Sequence, residues 1–510
     1  MKSGKRKVIY GVRASGTLTS GWRRSIGLLC LIFSAAITSP AQDVQPATNA
    51  VGGFQTLFSF NGTNGQYPEL NFVQGLDGNL YGTTNNGGTP GPGTVFKVTQ
   101  SGTLTTVYNF CAQVNCTDGS YPMELGFLAL DTDGSLYGTT QGGGTNGFGT
   151  IFKITPGGNL TTLYSFCSQP NCVDQGLPYS GVVRGADGNF YGVTPGGGLS
   201  GPLCGPSPDG ITCGTVYKIT PQGAFRIIYS FCSQANCTDG SVPIGQLVSG
   251  ADGNLYGTTS SGGGHGLGTI FKITLSGKLT TLHSFDPAAG QGGCQVPCAP
   301  MIQATNGNFY GTDFYGGGSG TFFEITPAGG FTTLYNFCSQ PNCTDGAFPM
   351  GIVQGTDKSI YGVTAWGGSG PGYSGAGTLF KISPAGSLTT LHTFNSTDGS
   401  QPSGLVQATN GRFYGETEAG DGTIFSFSVG LGPFVETLPT LGKVGELIRI
   451  LGTNLTSVTG VSFNGTPAAF RVVSGSLILA AVPTGATSGL VTVTTPAGTL
   501  KSNTRFVIVP

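Results

Sequence analysis

The sequence has few charged residues. Only 9% of its 510 residues are charged, and 22 Lys and Arg residues nearly balance 23 Asp and Glu residues. No basic patch with interleaved aromatic residues occurs, so nucleic acid is not an expected partner. The low charge together with 38% hydrophobic residues also argues against a disordered chain.

Histidine is also scarce, with three copies. His265 stands alone in a glycine-rich segment, and His283 and His392 occupy positions where similar segments carry Tyr108 and Tyr164. No Ser-His-Asp set, nucleophile elbow or His pair with metal-ligand spacing can be assembled from them. The sequence therefore predicts no catalytic residues, no metal and no cofactor, while carboxylate-only glycosidase chemistry stays open. The acids available for it are Glu69, Glu124, Asp313, Glu416 and Glu418.

Apolar runs long enough to cross a membrane are missing too. A basic leader precedes "IGLLCLIFSAAI", and the small residues of "SPA" follow at 39–41. This order is typical of an export signal, here 1–41, and a run of about a dozen apolar residues is too short to span a bilayer comfortably. We expect a secreted, periplasmic or cell-surface protein without a membrane span after cleavage, with 42–52 as a linker. An uncleaved anchor is the alternative.

Glycine, by contrast, is abundant, with 91 copies, many of them in a repeat. The octet "DGNLYGTT" at 77–84 returns in similar form, followed by a segment such as "GTVF" and, in most copies, by one such as "LTTLYSF". Short β-branched and aromatic runs bounded by Asp-Gly or Ser-Gly turns are typical of antiparallel hairpins. The Tyr-Gly dipeptides of the copies begin at Tyr81, Tyr137, Tyr191, Tyr256, Tyr310, Tyr361 and Tyr414.

These repeats predict an all-β fold, a seven-bladed β-propeller over 53–428 with four antiparallel strands in each blade. The seventh copy ends at 422–428 without a fourth strand, and a spare copy of that strand, "FQTLFSF", stands at 54–60. We therefore expect the N-terminal strand to complete the last blade and close the ring, which leaves no sheet edge exposed. The alternative is an open solenoid with capping repeats.

The repeated octet has a structural explanation. Asp77-Gly78 predicts a hairpin turn, because Gly tolerates positive φ and Asp bonds its own backbone. Tyr81 is expected to be buried between blades, with its hydroxyl bonded to a backbone group. Calcium bound by the turn aspartates, as in "DTDG" at 131–134, is the alternative, but a two-residue turn supplies too few oxygen ligands.

The cysteines form local pairs. Of the 13 cysteines, Cys30 alone lies in the predicted signal. Closely spaced pairs in an exported chain predict disulfides and an oxidising compartment. Zinc is not expected, because each pair supplies two ligands and has no histidine nearby. The predicted pairs are Cys111/Cys116, Cys167/Cys172, Cys204/Cys213, Cys232/Cys237, Cys294/Cys298 and Cys338/Cys343.

Two parts of the chain resemble known families. The stretch 53–428, with "DGNLYGTT", "GTIFKIT" and "LTTLYSF", resembles the GloVer-type tandem repeat proteins. That resemblance implies a bacterial, exported protein at the surface or outside the cell, and implies no chemistry. The segment 445–499, with an Asn-Gly hairpin at 464–465, resembles an IPT/TIG domain, an immunoglobulin-like β-sandwich that we place at 431–510. This second resemblance implies a spacer or interaction module, although such modules also occur in secreted enzymes.

The loops that vary in length are expected to share one face of the propeller. They include 85–93, 195–214 and 365–377. Variable loops on a rigid scaffold are where binding concentrates, and flat aromatic rings there can stack on sugars. The alternative is that these rings only cover the blade rims. The candidate ligand-binding residues are Phe148, Phe314, Tyr315, Trp366 and Tyr373.

Three functional hypotheses follow from these features. The first is an exported, non-catalytic binding or adhesion protein, with the propeller as ligand platform, the C-terminal domain as spacer, and a carbohydrate or a surface protein as partner. The second is a secreted polysaccharide hydrolase or lyase of propeller fold. The third is a purely structural component of the cell surface.

Overall fold

The computed structural model describes residues 53–68, 72–122, 127–198, 213–292, 301–370 and 372–509, so the predicted signal and linker lie outside the described residues. The regular secondary structure of this part of the chain is almost entirely β-strand. None of its helices is long and apolar enough to cross a membrane. The helices are single 3-10 turns at Val114–Cys116, Pro170–Cys172, Ala235–Cys237, Pro287–Ala289, Gly316–Gly318, Pro341–Cys343 and Leu455–Ser457.

Seven antiparallel sheets follow one another along the chain, one for each Tyr-Gly copy, and we number these repeats 1 to 7. The strands of repeats 1 to 3 are Gln66–Pro68, Val73–Gln74, Leu80–Asn86, Thr94–Val98 and Leu104–Asn109; Ser120–Pro122, Ala129–Leu130, Leu136–Gly142, Thr150–Ile154 and Leu160–Ser165; and Val183–Arg184, Phe190–Thr194, Thr215–Ile219 and Phe225–Ser230. Those of repeats 4 and 5 are Ser241–Pro243, Val248–Ser249, Leu255–Ser261, Thr269–Ile273 and Leu279–Ser284; and Ile302–Gln303, Phe309–Asp313, Thr321–Ile325 and Phe331–Asn336. Those of repeats 6 and 7 are Ala347–Gln354, Ile360–Trp366, Thr378–Ile382 and Leu388–Thr393; and Pro402–Gln407, Phe413–Thr417 and Thr423–Phe427.

The N-terminal strand belongs to the sheet of repeat 7. Gln55–Ser59 pairs antiparallel with Thr423–Phe427. It occupies the place that the fourth strand of its own repeat occupies in the other sheets. The first and last segments of the repeat region therefore meet in one sheet.

The turn that begins the octet is held by its own side chains. In repeat 1, Gly78 has a φ of 82°, and Asp77 Oδ1 accepts the N–H of Asn79 at 3.1 Å. The Tyr81 hydroxyl donates to Asp77 Oδ2 at 2.8 Å. The prediction of a backbone partner for this hydroxyl is therefore wrong, because the turn brings a carboxylate within its reach. The same bond recurs at Tyr191/Asp187, Tyr256/Asp252 and Tyr361/Asp357.

A lysine of the third strand joins this turn in four repeats. In repeat 3, Lys218 Nζ lies 2.7 Å from Asp187 Oδ2. Burial alone would raise the pKa of Asp187, but hydrogen bonds from Lys218, Asn189 and Tyr191 lower it to about 2. An ammonium group thus already neutralises the carboxylate, which argues against calcium at these turns. The pairs are Asp133/Lys153, Asp187/Lys218, Asp252/Lys272 and Asp357/Lys381.

The glycine of each Tyr-Gly dipeptide lies beneath an aromatic ring of the third strand. Gly82 and Phe96 are partners in the antiparallel register, and a Cβ on Gly82 would stand 2.8 Å from Phe96 Cζ. A larger residue would push the ring away. This contact explains why Tyr-Gly and the Gly-Thr-x-aromatic segment recur together.

Neighbouring repeats pack through a second glycine. A Cβ on Gly93 of repeat 1 would stand 2.5 Å from Pro122 Cδ of repeat 2. Gly422 of repeat 7 faces Pro68 of repeat 1 in the same way. The buried side chains between the sheets are mainly aromatic and β-branched, as the repeat pattern requires.

The C-terminal residues form two four-stranded sheets and a short parallel pair. Both larger sheets contribute to one buried core that includes Ile448, Val461 and Phe463. This part contacts the repeats, because Ser476 Oγ donates to the Leu76 carbonyl at 2.8 Å. Its strands are Glu436–Leu438, Leu441–Gly442, Leu447–Leu451, Gly460–Phe463, Thr466–Pro467, Phe470–Val472, Leu477–Ala481, Val491–Thr495, Gly498–Lys501 and Val507–Ile508.

Candidate ligand-binding face

Three of the five predicted ligand-binding residues lie together, around a phenylalanine that the sequence reasoning missed. The ring centroid of Phe348 lies 5.0 Å from that of Phe314, 5.9 Å from that of Tyr315 and 5.0 Å from that of Tyr373. Phe314 and Phe348 are half-buried, whereas Tyr315 is 41% and Tyr373 47% exposed. We call these four residues the aromatic cluster. Two tyrosine rings thus face solvent over two packed phenylalanines.

A buried carboxylate positions the loop that carries Tyr315. Asp313 is 2% exposed, and its Oδ1 accepts the N–H groups of Tyr315 at 3.2 Å and Gly316 at 3.0 Å. Its Oδ2 accepts the N–H of Gly292 at 2.9 Å. Asp313 was one of the acids open to catalysis, and here it organises the backbone beside the aromatic cluster.

Tyr373 is anchored across the boundary between two repeats. Its hydroxyl lies 3.0 Å from Ser319 Oγ, within hydrogen-bonding distance. Ser319 belongs to repeat 5 and Tyr373 to repeat 6. The cluster is therefore built by two neighbouring sheets and is held at both sides.

Phe348 stands in a strained backbone conformation. Its φ is 58°, in the left-handed region, and it precedes Pro349. For a bulky residue this conformation costs roughly 1–3 kcal/mol and persists only where the surroundings fix it. The N–H of Phe348 donates to the Ser319 carbonyl of repeat 5 at 2.7 Å, which supplies that constraint. The available sequence signal was the recurring residue-Pro pair, as in "QYP", "SYP" and "AFP".

Trp366 and Phe148 lie elsewhere. Trp366 is 37% exposed at the end of its strand and pairs with Ala347, the residue before Phe348. Phe148 is half-buried and packs against the core that repeats 2 and 3 share. Trp366 therefore lies on the strand next to the one that carries Phe348. Phe148 fills space between two sheets.

The remaining candidate acids are dispersed. Glu416 is fully buried on the second strand of repeat 7, and its Oε1 faces Gly82 of repeat 1. The N–H of Glu418 donates to the Gln401 carbonyl at 3.1 Å. Asp313 belongs to repeat 5 and Glu416 to repeat 7, and repeat 6 packs between these two repeats. Glu69 and Glu124 lie outside the described residues.

Two of the histidines take the structural place of tyrosine, as predicted. His392 Nε2 lies 2.9 Å from Asp398 Oδ2, and the ring stacks on Phe54 at 4.0 Å. His283 Nε2 lies 2.9 Å from Gln291 Oε1, and burial lowers the pKa of His283. In other repeats tyrosine makes the equivalent bond to a buried aspartate.

Disulfides close four of the predicted cysteine pairs, Cys111/Cys116, Cys167/Cys172, Cys232/Cys237 and Cys338/Cys343. Cys213 is disulfide-bonded as well, while Cys204, Cys294 and Cys298 lie outside the described residues. The sulfurs of Cys213, Cys232 and Cys237 lie within 4.8 Å of one another. As disulfides, these sulfurs lack the thiolate charge that metal ligands need.

The comparisons with known proteins agree with this architecture. The model of the Gloeobacter/Verrucomicrobia repeat family matches residues 43–205, 170–368 and 290–466, overlapping stretches that span more than half of the chain. The chain therefore belongs to this family. No curated protein matches the sequence.

Solved structures are similar to this chain. A catalytically inactive variant of virginiamycin B lyase from Staphylococcus aureus, with quinupristin, is similar at a TM-score of 0.50 and 17% identity, over 74% of this chain and 99% of that one. The WD40 β-propeller domain of Doa1 is similar at a TM-score of 0.45 and 13% identity, over 73% and 97% of the two chains. At 17% identity the likeness to the lyase concerns the fold alone.

Proposed function

We propose that this repeat-family member is an exported, non-catalytic binding protein whose aromatic cluster stacks on the ring faces of a carbohydrate. The observation that carries the proposal is the pair of exposed rings, Tyr315 and Tyr373, held over Phe314 and Phe348. Aromatic residues with a polar tip combine a flat apolar face with a hydrogen-bonding group. Sugars present the same combination of apolar ring faces and hydroxyl edges.

The proposed scaffold is a closed, seven-bladed propeller over 53–428. The pairing of Gln55–Ser59 with the last repeat supports closure, as does the contact between Gly422 and Pro68. Tyr179 of repeat 3 packs against the core of repeats 6 and 7, which supports a circular arrangement in which inner strands face one another. A closed scaffold would hold the loops of the aromatic cluster rigidly and so reduce the ordering cost of binding.

The proposed C-terminal module at 431–510 is an immunoglobulin-like sandwich of the IPT/TIG type that acts as a spacer. Two four-stranded sheets around one core support this proposal. Export through a signal at 1–41 is proposed on the sequence pattern and is supported by the disulfides, which persist in oxidising compartments.

The test is retention on polysaccharides. The full chain is screened on a glycan array and on insoluble polysaccharides, and Tyr315→Ala and Tyr373→Ala are compared with the wild type. We expect each Ala variant to weaken binding about tenfold, which corresponds to about 1.4 kcal/mol of lost stacking. Tyr315→Phe is the matched control, because it keeps the ring and should bind within about twofold of the wild type.

Three results would contradict the proposal. Full retention by both Ala variants, with unchanged thermal unfolding, would remove the aromatic cluster from binding. Release of reducing or unsaturated ends from a bound polysaccharide would instead establish the hydrolase or lyase hypothesis. A chain that binds no glycan would favour the structural hypothesis.

A further inference from the structure

Phe348 is one of a series of equivalent residues. The structure describes this position in every repeat except repeat 5. In each of those repeats, a non-glycine residue with positive φ stands directly before a proline in or just before the first strand. Each N–H donates to a backbone carbonyl just before the Gly-Thr segment of the preceding repeat. The residues are Tyr67, Tyr121, Leu177, Val242, Phe348 and Gln401, with φ between 50° and 58°.

Glycine would fit the positive φ of this position better than any other residue. Glycine adopts positive φ at no steric cost, and this chain uses it for that purpose at turns such as Gly78 and Gly102. A chain with 91 glycines nevertheless places bulky side chains at this position. Local strain that is kept against an easier alternative points to a role for the side chain itself.

The exposed members of the series extend the aromatic cluster. Tyr67 is 40% and Tyr121 44% exposed. The N–H of Tyr67 donates to the Asp421 carbonyl of repeat 7, and that of Tyr121 to the Pro92 carbonyl of repeat 1. Contacts between successive repeats thus run from the cluster in repeats 5 and 6, through repeat 7, to Tyr67 in repeat 1 and Tyr121 in repeat 2.

We propose that these residues form an aromatic arc that binds an extended, uncharged polysaccharide chain over several repeats, and not a single sugar. This rests on the proposed function and specifies its ligand. The loop of repeat 7 in the middle of the arc, "TEAGDGT" at 417–423, contains two acids and no base, which disfavours a polyanionic polymer. Aromatic rings repeated along one face match a ligand that itself repeats.

The test compares ligands of different length. The full chain is titrated calorimetrically with cello-, manno- and malto-oligosaccharides of two to eight sugar units. For the series that binds, affinity is expected to rise with length. Tyr67→Gly with Tyr121→Gly should lower the affinity for the longest member at least tenfold and leave the shortest unchanged, whereas Tyr315→Ala should weaken both.

The glycine substitutions also separate ligand binding from a structural role. Because glycine relieves the positive φ, Tyr121→Gly should keep or raise the melting temperature while long-chain binding is lost. Val242→Gly is the matched control, since it relieves the same backbone without removing an aromatic ring and should leave binding unchanged. A fall in melting temperature for Tyr121→Gly, beyond that of Val242→Gly, would assign the ring to packing and overturn the proposal.

Failure of the arc and failure of the proposed function look different. If Tyr315→Ala weakens binding but the double Gly variant binds the longest oligosaccharide like the wild type, the arc is refuted and the aromatic cluster stands as a single subsite. If none of the three oligosaccharide series binds, the arc is refuted for neutral glycans of these linkages. The glycan array then decides the proposed function separately.

Discussion

A buried aspartate holds the disulfide loop that leads from repeat 5 to repeat 6. Asp345 is fully buried, and its Oδ2 accepts the Tyr335 hydroxyl at 2.8 Å and the N–H of Ser339 at 2.9 Å. Its Oδ1 accepts the N–H of Gln340 at 3.3 Å. We predict that Asp345→Ala and Tyr335→Phe each destabilise the protein and that their effects are strongly coupled.

The magnitude follows from these bonds. A hydrogen bond to a charged group contributes about 1.5–3 kcal/mol, so Tyr335→Phe should cost about 2 kcal/mol. Asp345→Ala removes the charged acceptor of all three bonds, of which the two to N–H groups are part-buried, so about 4 kcal/mol is expected. In the Asp345→Ala background the Tyr335 hydroxyl has already lost its carboxylate acceptor, and only the bond from Ser339 Oγ at 2.9 Å is left for Tyr335→Phe to remove. The coupling energy should therefore be about 2 kcal/mol.

The assay is a double-mutant cycle by urea unfolding. Trp366 reports on the adjacent repeat 6, and the second tryptophan, Trp22, lies in the predicted export signal. The matched control pairs Tyr335→Phe with Asp239→Ala, the equivalent buried aspartate of repeat 3, and should be additive. A coupling below about 0.5 kcal/mol between Tyr335 and Asp345 lies within ordinary additivity error and would refute the reasoning.

Two further predictions concern the turns that begin the octets and the packing of repeat 7 against repeat 1. The pKa values of Asp187 and Asp252 are lowered to about 2, against about 3.9 in the unfolded chain, so their stabilisation should be complete above about pH 4 and disappear as pH falls towards 2. The melting-temperature difference between the wild type and Asp187→Asn should shrink over that window, and a constant difference would contradict it. Phe60 is buried in the cluster shared by repeats 7 and 1, so Phe60→Ala should cost about 3–5 kcal/mol. Limited proteolysis of the Phe60→Ala variant should then cleave repeat 7 first. Uniform cleavage of all repeats would argue against the packing of repeat 7 on repeat 1.

The sheets of the repeats could be predicted because one pattern recurs under equivalent constraints. The Asp-Gly turn, the Tyr-Gly dipeptide and the Gly-Thr-x-aromatic segment each occupy one strand or turn, so local sequence was enough. The partner of Tyr81 could not be predicted in this way. Alternation of side chains places the ring on a face, but only the folded turn shows that Asp77 stands within reach of its hydroxyl.

The aromatic cluster required contacts between repeats. Phe314 and Tyr315 follow the second strand of repeat 5, which ends at Asp313, and Phe348 is the second residue of the first strand of repeat 6. The pattern of a single repeat does not predict which residue of the next repeat contacts a given side chain. Aromatic content therefore pointed to Phe314, Tyr315 and Tyr373, and it pointed equally to Phe148, which packs between sheets.

Departures from the repeat mark this site better than aromatic content does. In repeat 1 the hydroxyls of Thr84 and Thr94 lie 2.9 Å apart and close the end of the hairpin. Repeat 5 has Asp313 in place of that first threonine, and its carboxylate accepts the N–H groups of Tyr315 and Gly316 instead. The loop that displays Tyr315 thus exists because one residue breaks the pattern. In a chain whose repeats are otherwise fixed by packing, a substitution that buries a carboxylate and reorganises a loop is what the binding role that we propose for this face would require.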